Sequence, residues 1–325
     1  MLSPPHRINS MQVFRSLDEV PVDLGRSVVS VGNFDGVHRA HRGVLAEIVK
    51  RAKAAAAKSV AVTFNPHPTR ILRPGNDLKL LTPLPEKLHL LETTGIDAVL
   101  LLPFSRDLSL MTPFDFAEEI LEKKLHALEV HEGYNFHFGH KASGNIQTLR
   151  ELGAKMDFAV HDYPEMRLRG EPVSSSQIRK LLTEGQVSRA RHLLARPFSI
   201  LSTPGRGRGY GSKYTVPTIN LAHYEELAPK DGVYITRTRV AVGSAGECFD
   251  SVTNVGNRPT FGSDSFAIES HLLNFHPLEL TAETEVEIYF LDRLRDEIKF
   301  PSVEALKDQI GRDVQKAQTY LRRLA

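Results

Sequence analysis

The chain has 325 residues, about two domains at roughly 150 residues each, and its 25% charged and 41% apolar residues exclude disordered and fibrous classes. Forty-one Lys and Arg against 39 Asp and Glu leave a net charge of +2, so bulk attraction to nucleic acid or to an anionic membrane is unsupported. The single cysteine, Cys248, excludes an intrachain disulfide and a cysteine zinc cluster and points to a reducing compartment, the cytoplasm. Met1 to Arg7 has no hydrophobic segment of the signal type, and the longest strongly apolar run, Ala98 to Phe104, is broken by Pro103, so no membrane passage is expected.

Short β-branched runs alternate with amphipathic ones from Ser27 to about Val160, the pattern of a parallel sheet wrapped by helices. Val28 to Val31 is a buried strand, and the helix after it places Val44, Leu45, Ile48, Val49 and Ala52 on one face. Strands are predicted at 59–64, 98–102, 129–132 and 158–161, and helices near 85–93, 114–124 and 146–152. Two short helices, 176–183 and 187–194, lead to Arg196-Pro197-Phe198, where the texture changes. Beyond it, strand-like pieces at 198–202, 232–239, 266–275 and 285–291, separated by Gly-, Pro- and Asn-rich turns, predict a small antiparallel barrel. Ser302 opens a terminal helix to about Leu324, with Val303, Leu306, Ile310, Val314 and Leu321 on its apolar stripe. The fold class is therefore α/β followed by a β-barrel with a C-terminal helix, divided near Leu194 into domains 12–194 and 195–325.

The turn from the first strand into the first helix, Gly32-Asn33-Phe34-Asp35-Gly36-Val37-His38-Arg39-Ala40-His41, sits where helix-start N–H groups and the helix dipole favour an anion. Gly32 and Gly36 permit close backbone approach, and His38 and His41, three residues apart, can face one ligand. On spacing alone the pair also reads as two solvated histidines near a cap, or as half a metal site with no third ligand nearby.

This run resembles the Gly-x-Phe-Asp-Gly-x-His-x-Gly-His signature of nucleotidylyltransferases, in the form used by bacterial bifunctional riboflavin kinase/FAD synthetases. Thr63-Phe64-Asn65-Pro66-His67-Pro68, Gly133-Tyr134-Asn135-Phe136-His137-Phe138-Gly139 and Ser174-Ser175-Ser176-Gln177-Ile178-Arg179 resemble further blocks of that family in order, and the likeness covers nearly the whole chain. Met11 to Arg15 is similar to a typical family beginning, so translation from Met11 is an alternative to Met1. The resemblance implies a Rossmann-like adenylyltransferase domain in which His38, His41 and Arg179 act on ATP. It gives Gly32, Phe34, Asp35, Gly36 and Ser175 to the nucleotide and phosphates, and Asn65, Pro66 and Asn135 to the flavin. Adenylyl transfer needs donors and cations around phosphates rather than a protein nucleophile, which these residue types supply. Ala40 replaces the family's glycine between the histidines, which would matter if a positive φ were required there.

In the barrel half, Gly205-Arg206-Gly207-Arg208-Gly209-Tyr210-Gly211 is a flexible loop able to wrap a diphosphate, although no strand–helix crossover makes it a dinucleotide fingerprint. Pro217-Thr218-Ile219-Asn220 resembles the Pro-Thr-Ala-Asn motif of riboflavin kinases, and the blocks from Pro229 and Asn254 follow in order. The resemblance implies Mg2+ held by Thr218 and Asn220, phosphate contacts from Gly205, Gly207, Gly211 and Lys213, Glu269 as general base on the ribityl hydroxyl, and flavin contacts near Arg295. Ser212 and Thr215 stand where the family has arginine and glycine, so adenylyl transfer is the better supported activity.

The sequence thus implies an enzyme that phosphorylates riboflavin to FMN and adenylylates FMN to FAD with Mg2+ and ATP. Its partners are riboflavin, FMN and ATP, with neither nucleic acid nor membrane, and no oligomeric state is specified. The alternatives are a chain retaining only adenylyl transfer and a non-catalytic flavin or nucleotide sensor. The second is opposed by the presence of Glu269, Thr218 and the histidines.

Overall fold

A computed structural model describes residues 11–205, 218–241, 246–257, 266–276, 278 and 280–324. Its contacts separate into two compact units, Met1–Ser175 and Ser176–Ala325.

The first unit is built on β1 (Gln12–Phe14), β2 (Ser27–Val31), β3 (Lys58–Asn65), β4 (Ala98–Pro103), β5 (Ala127–Gly133) and β8 (Ala159–Tyr163), with a two-residue ladder of β6 (His137–Phe138) and β7 (Gly144–Asn145) between the last two. The six strands run parallel in the order β1-β4-β3-β2-β5-β8. Helices cover both faces, which is why β4 reads as an apolar run and β2 is buried along its whole length, Ser27 and Ser30 included. Val28, Ala61 and Val99 pack on one side with Leu45 and Ile48 of α1 (Arg39–Ala54) and Leu91 of α3 (Leu84–Glu92). Val29, Val60 and Leu100 pack on the other with Ile120, Leu121 and Leu149. The connections include α2 (Pro68–Leu72), α4 (Arg106–Leu110), α5 (Pro113–Phe116), which continues as π-helical turns Ala117–Lys124, and α6 (Ile146–Met156). α1 buries Leu45, Ile48 and Ala52 from its predicted stripe and ends with Arg51 and Lys53, cations that suit the negative end of a helix. A small hairpin, β9 (Arg167–Leu168) and β10 (Glu171–Pro172), precedes α7 (Ser175–Thr183).

In the second unit, α8 (Val187–Leu194) precedes β11 (Phe198–Ser202), β12 (Thr218–Asn220), β13 (Gly232–Val240), β14 (Glu247–Asn257), β15 (Phe266–Leu272) and β16 (Val286–Arg295). The strands pair antiparallel in the order β11-β16-β13-β14-β15-β12. The two edges meet beyond β11 and β12, where Gly205 N donates to Asn220 O and Ala222 N to Thr203 O, both at 2.8 Å, and the sheet closes on itself. Gly205 serves that seam, since a Cβ there would lie 2.6 Å from the carbonyl oxygen of Leu221.

The C-terminal helix Val303–Arg322, capped by Ser302 as expected, lays Ala317 and Leu321 on Val233, Ile235, Val252 and Leu291. Alternate residues face the barrel interior, where Tyr234, Phe198 and Phe290 surround five buried hydroxyls. Thr236 lies 2.7 Å from Ser251 and from Thr253, Thr238 lies 2.9 Å from Ser251 and 2.7 Å from Ser270, and Thr253 reaches Ser270 at 3.1 Å. A closed hydroxyl network satisfies its members without water and holds three strands in register.

β3, β4, β11 and β13 fall within a residue of expectation, whereas β1, β12 and β14 were not predicted. β14 escapes a hydrophobic pattern because its interior positions include Ser251 and Thr253, buried as hydroxyls rather than hydrocarbon.

Candidate functional site

In the first unit the chain runs outward from β2 through β3 to β4 and returns to β2's other side as β5, so the topology switches between β2 and β5. Open parallel sheets bind ligands at the carboxyl ends of the strands at such a point. The carboxyl end of β2 is the Gly32–His41 turn, β3 ends at exposed Asn65 with a cis Asn65–Pro66 bond, and β5 ends at Gly133, two residues before exposed Asn135. All of these predicted residues therefore gather at one edge of the sheet.

The turn is fixed from beneath. The buried Asp35 carboxylate accepts from Leu81 N (3.0 and 3.1 Å) and Thr82 N (3.1 Å), and Gly36 N donates to Thr82 Oγ1 at 3.0 Å. Phe34 (φ 47), Gly36 (φ 83) and Val37 (φ 36) lie in the left-handed region, a conformation that β-branched Val37 adopts only at a cost of about 1–3 kcal/mol. Ala40 is already inside α1 and has no positive φ, so its methyl group does not disturb the turn.

Two groups that the sequence reading passed over complete the support. Lys87 of α3 is buried and donates to Asn33 O (3.3 Å), Thr63 Oγ1 (3.2 Å) and Phe64 O (3.3 Å), joining the two motif loops; its desolvation lowers its pKa to about 8. Glu132, buried at the end of β5, accepts from Val31 N at 2.5 Å, and burial holds its pKa well above the usual carboxylate range. The signal for Lys87 was a cation on the inward face of an amphipathic helix.

His38 caps α1, accepting from His41 N on its Nδ1 at 3.4 Å, and the two imidazoles stack at 3.5 Å between centroids with Phe34 edge-on to His41 at 5.2 Å. The Nδ1 of half-buried His41 is shut off from solvent without a hydrogen-bond partner among the described residues. Desolvation, then the charges of His38 and Lys87, hold the His41 pKa well below its ordinary value, so its ring is neutral at physiological pH. Ser175 Oγ donates to Asp35 O at 2.9 Å, bringing the start of α7 to the turn; Arg179 follows one helical turn along α7 and is half-buried.

In the second unit, strand register aligns residues far apart in sequence. Asn220 pairs with Glu269, Glu269 with Asn254, Asn254 with Val233, and Val233 with Arg295, a single row across five strands on one face. Thr218 pairs with His271 and so lies on the face of Asn220 and Glu269. Thr218, Asn220 and Glu269 are half-buried. Asn254, which the sequence reading did not single out as a site residue, flanks Glu269 opposite Asn220 and donates to Glu297 Oε1 at 2.9 Å. Arg295 is engaged by the buried Asp313 of the C-terminal helix through Nε (2.9 Å) and Nη2 (2.8 Å). Gly207, Gly211 and Lys213, with Ser212 and Thr215, lie outside the described residues.

A strained, anion-facing turn at the switch point of a parallel sheet, in one chain with a closed barrel that presents hydroxyl, amide and carboxylate on one face, defines a nucleotide-using transferase with two separate centres. Residues 21–177 match the family described as FAD synthetase and residues 194–321 the family described as riboflavin kinase. Proteins named bifunctional riboflavin kinase/FMN adenylyltransferase from Buchnera aphidicola subsp. Schizaphis graminum (31% identity, 95% of this chain and 99% of that one) and Pseudomonas fluorescens (32%, 95% and 97%) are similar along their length. A solved structure described as a macrolide-efflux protein from Streptococcus pneumoniae has a TM-score of 0.84 at 25% identity over 95% of this chain and 98% of that one. The chain belongs to the bifunctional riboflavin kinase/FMN adenylyltransferase family. Among the described residues no helix is long and apolar enough to cross a membrane.

Proposed function

We infer that the chain makes FAD from riboflavin in two ATP-dependent steps: residues 195–325 form FMN, and residues 12–194 transfer an adenylyl group to it. In the first step Glu269 takes the proton of the ribityl terminal hydroxyl as that oxygen attacks the γ-phosphorus of ATP, and ADP leaves. Thr218 and Asn220 offer a hydroxyl and an amide oxygen beside the Glu269 carboxylate, a hard-donor set that fits Mg2+. Mg2+ bound there would supply neutralising charge for the phosphates; Asn220 and Asn254 flank Glu269 on the two neighbouring strands. Gly207, Gly211 and Lys213 are assigned to the ATP phosphates by resemblance, with Gly205 at the root of their loop. Arg295, tied to Asp313, places the flavin contacts on the face it shares with Glu269.

In the second step a phosphate oxygen of FMN attacks the α-phosphorus of ATP and pyrophosphate leaves. The turn Gly32, Phe34 and Gly36, shaped by Asp35, lets the backbone approach the phosphates closely, while the Gly32 and Gly36 N–H groups are spent holding the turn to Val62 O and Thr82 Oγ1. His38 and the neutral ring of His41 stack side by side and donate to oxygens whose charge grows as the bond breaks. Ser175 ties the start of α7 to the turn through Asp35 O, Arg179 of that helix is the cation assigned to the phosphates, and Asn65, Pro66 and Asn135 border the flavin. The substrates are small molecules, and the single free cysteine, Cys248, suits the cytoplasm.

The observation that supports the reading best is the register pairing of Glu269 with Asn220, which brings the proposed base to the proposed metal donors across 48 intervening positions of sequence. Glu269→Gln tests it. The variant is expected to lose FMN formation from riboflavin by at least about a hundredfold, while still forming FAD from supplied FMN. Unchanged FMN formation would remove Glu269 from the chemistry.

A further inference from the structure

Among the described residues, one cluster of metal-ligating side chains lies outside both proposed centres. On β5, Glu129 and His131 are two residues apart and share a face, and the parallel register sets His161 of β8 directly beside His131. Glu129 Oε2 lies 2.9 Å from His131 Nε2 and 3.4 Å from His161 Nε2, and the three donor atoms all fall within 4.8 Å of one another. In a tetrahedral zinc site with bonds of about 2.0–2.1 Å, neighbouring donors are roughly 3.4 Å apart; the Glu129–His161 separation matches that edge, and the Glu129–His131 pair, hydrogen-bonded at 2.9 Å, opens slightly to reach it. The edge between the imidazoles, whose rings stack at 4.6 Å, closes by rotation of the partly exposed His161 ring.

The surroundings are those of a ligand set rather than of a chance meeting. His131 Nδ1 is hydrogen-bonded to Tyr163 Oη at 2.7 Å, which turns Nε2 toward the carboxylate. Arg51 of α1 holds both oxygens of Glu129 (Nε to Oε2 2.9 Å, Nη2 to Oε1 2.8 Å) and leaves Oε2 directed at the two rings. Outer contacts of this kind fix ligating histidines and carboxylates in metal sites. His161 Nε2 is buried, points into the same space and makes no hydrogen bond among the described residues. Two imidazole nitrogens and one carboxylate oxygen form a donor set suited to a borderline divalent ion and poorly suited to Mg2+.

We propose that Glu129, His131 and His161 bind one Zn2+ ion, with water as the fourth ligand, and that the ion fastens the edge strand β8 to β5 and, through Arg51, to α1. The test uses the full chain stripped of metal by a chelator and returned to buffer with excess Mg2+, so that nucleotide-site cations do not compete. Zn2+ titration against a chromogenic chelator is expected to show one equivalent bound with a Kd of micromolar or below, and Co2+ in its place is expected to give the intense visible bands of a four-coordinate site. His161→Ala is expected to lose that equivalent, Tyr163→Phe to bind at least about tenfold more weakly, and His276→Ala, which alters an exposed His–Glu pair elsewhere, to bind as the parent does. The proposal is overturned if the parent chain takes up no Zn2+ at micromolar concentrations, or if His161→Ala and Tyr163→Phe both bind as the parent does. Circular dichroism of each variant confirms its fold; should His161→Ala fail to fold, the Tyr163→Phe affinity and the parent's Co2+ spectrum decide the matter.

Discussion

Replacing Lys87 by Met isolates the charge beneath the Gly32–His41 turn. Lys87 is 7% exposed and its ammonium is bonded only to neutral oxygens of Asn33, Thr63 and Phe64 among its described hydrogen-bond partners, so burial penalises its charged form. Its pKa falls from 10.5 to about 8, desolvation outweighing the opposing attraction of Asp35. At about 1.4 kcal/mol per pKa unit, the charged form is disfavoured in the folded protein by about 3 kcal/mol. The sign follows from proton counting. Below pH 8 both states hold the proton and the full cost is present; between pH 8 and 10.5 the unfolded chain holds it and the folded chain does not, so stability rises with pH. Lys87→Met lacks this rise, whatever it loses in hydrogen bonds at neutral pH. Urea unfolding of both proteins, followed by residual FAD formation from FMN so that the first unit is read alone, should show the parent gaining about 2 kcal/mol on the variant between pH 8 and 9.5. A difference that stays constant within about 0.5 kcal/mol over that range would refute the buried-charge reasoning.

Two further outcomes follow from the geometry. His38→Ala combined with His41→Ala is expected to lower FAD formation by at least about a hundredfold while FMN still accumulates from riboflavin; concurrent loss of FMN in a folded variant would contradict independent centres. Thr236→Val takes one member from the buried hydroxyl network and is expected to destabilise the second unit by about 1–2 kcal/mol, measured by chemical unfolding followed through FMN-forming activity. No change in midpoint would show that the network contributes register without stability.

Much of the fold was legible because burial on both faces writes itself as hydrocarbon. Ala98 to Leu102 is a continuous apolar run, Val28 to Val31 is broken only by the small Ser30, and α1 repeats its apolar residues at helical spacing, so each element emerges within a residue or two. β14 did not, because Ser251 and Thr253 are buried by bonding to Thr236, Thr238 and Ser270, partners on other strands that no local window contains. β1 has three residues, too few to show a period. The same contrast holds at the sites. The turn from Gly32 to His41 is contiguous and could be read as a unit, as could Thr218 to Asn220. Lys87 and Glu132 act through long-range contacts to Asn33 and Val31, Asn254 becomes Glu269's neighbour only through strand register, and the convergence of His131 with His161 requires two parallel strands to be laid side by side. Asp35 is a case where contiguous reading gave the location but not the work: its carboxylate fastens Leu81 and Thr82.

The most direct measurement supplies the purified chain with riboflavin, ATP and Mg2+ and resolves the flavins chromatographically over time. Two centres in one polypeptide predict FMN rising first and FAD following at its expense; FMN that never becomes FAD, or riboflavin left unaltered, would contradict the account.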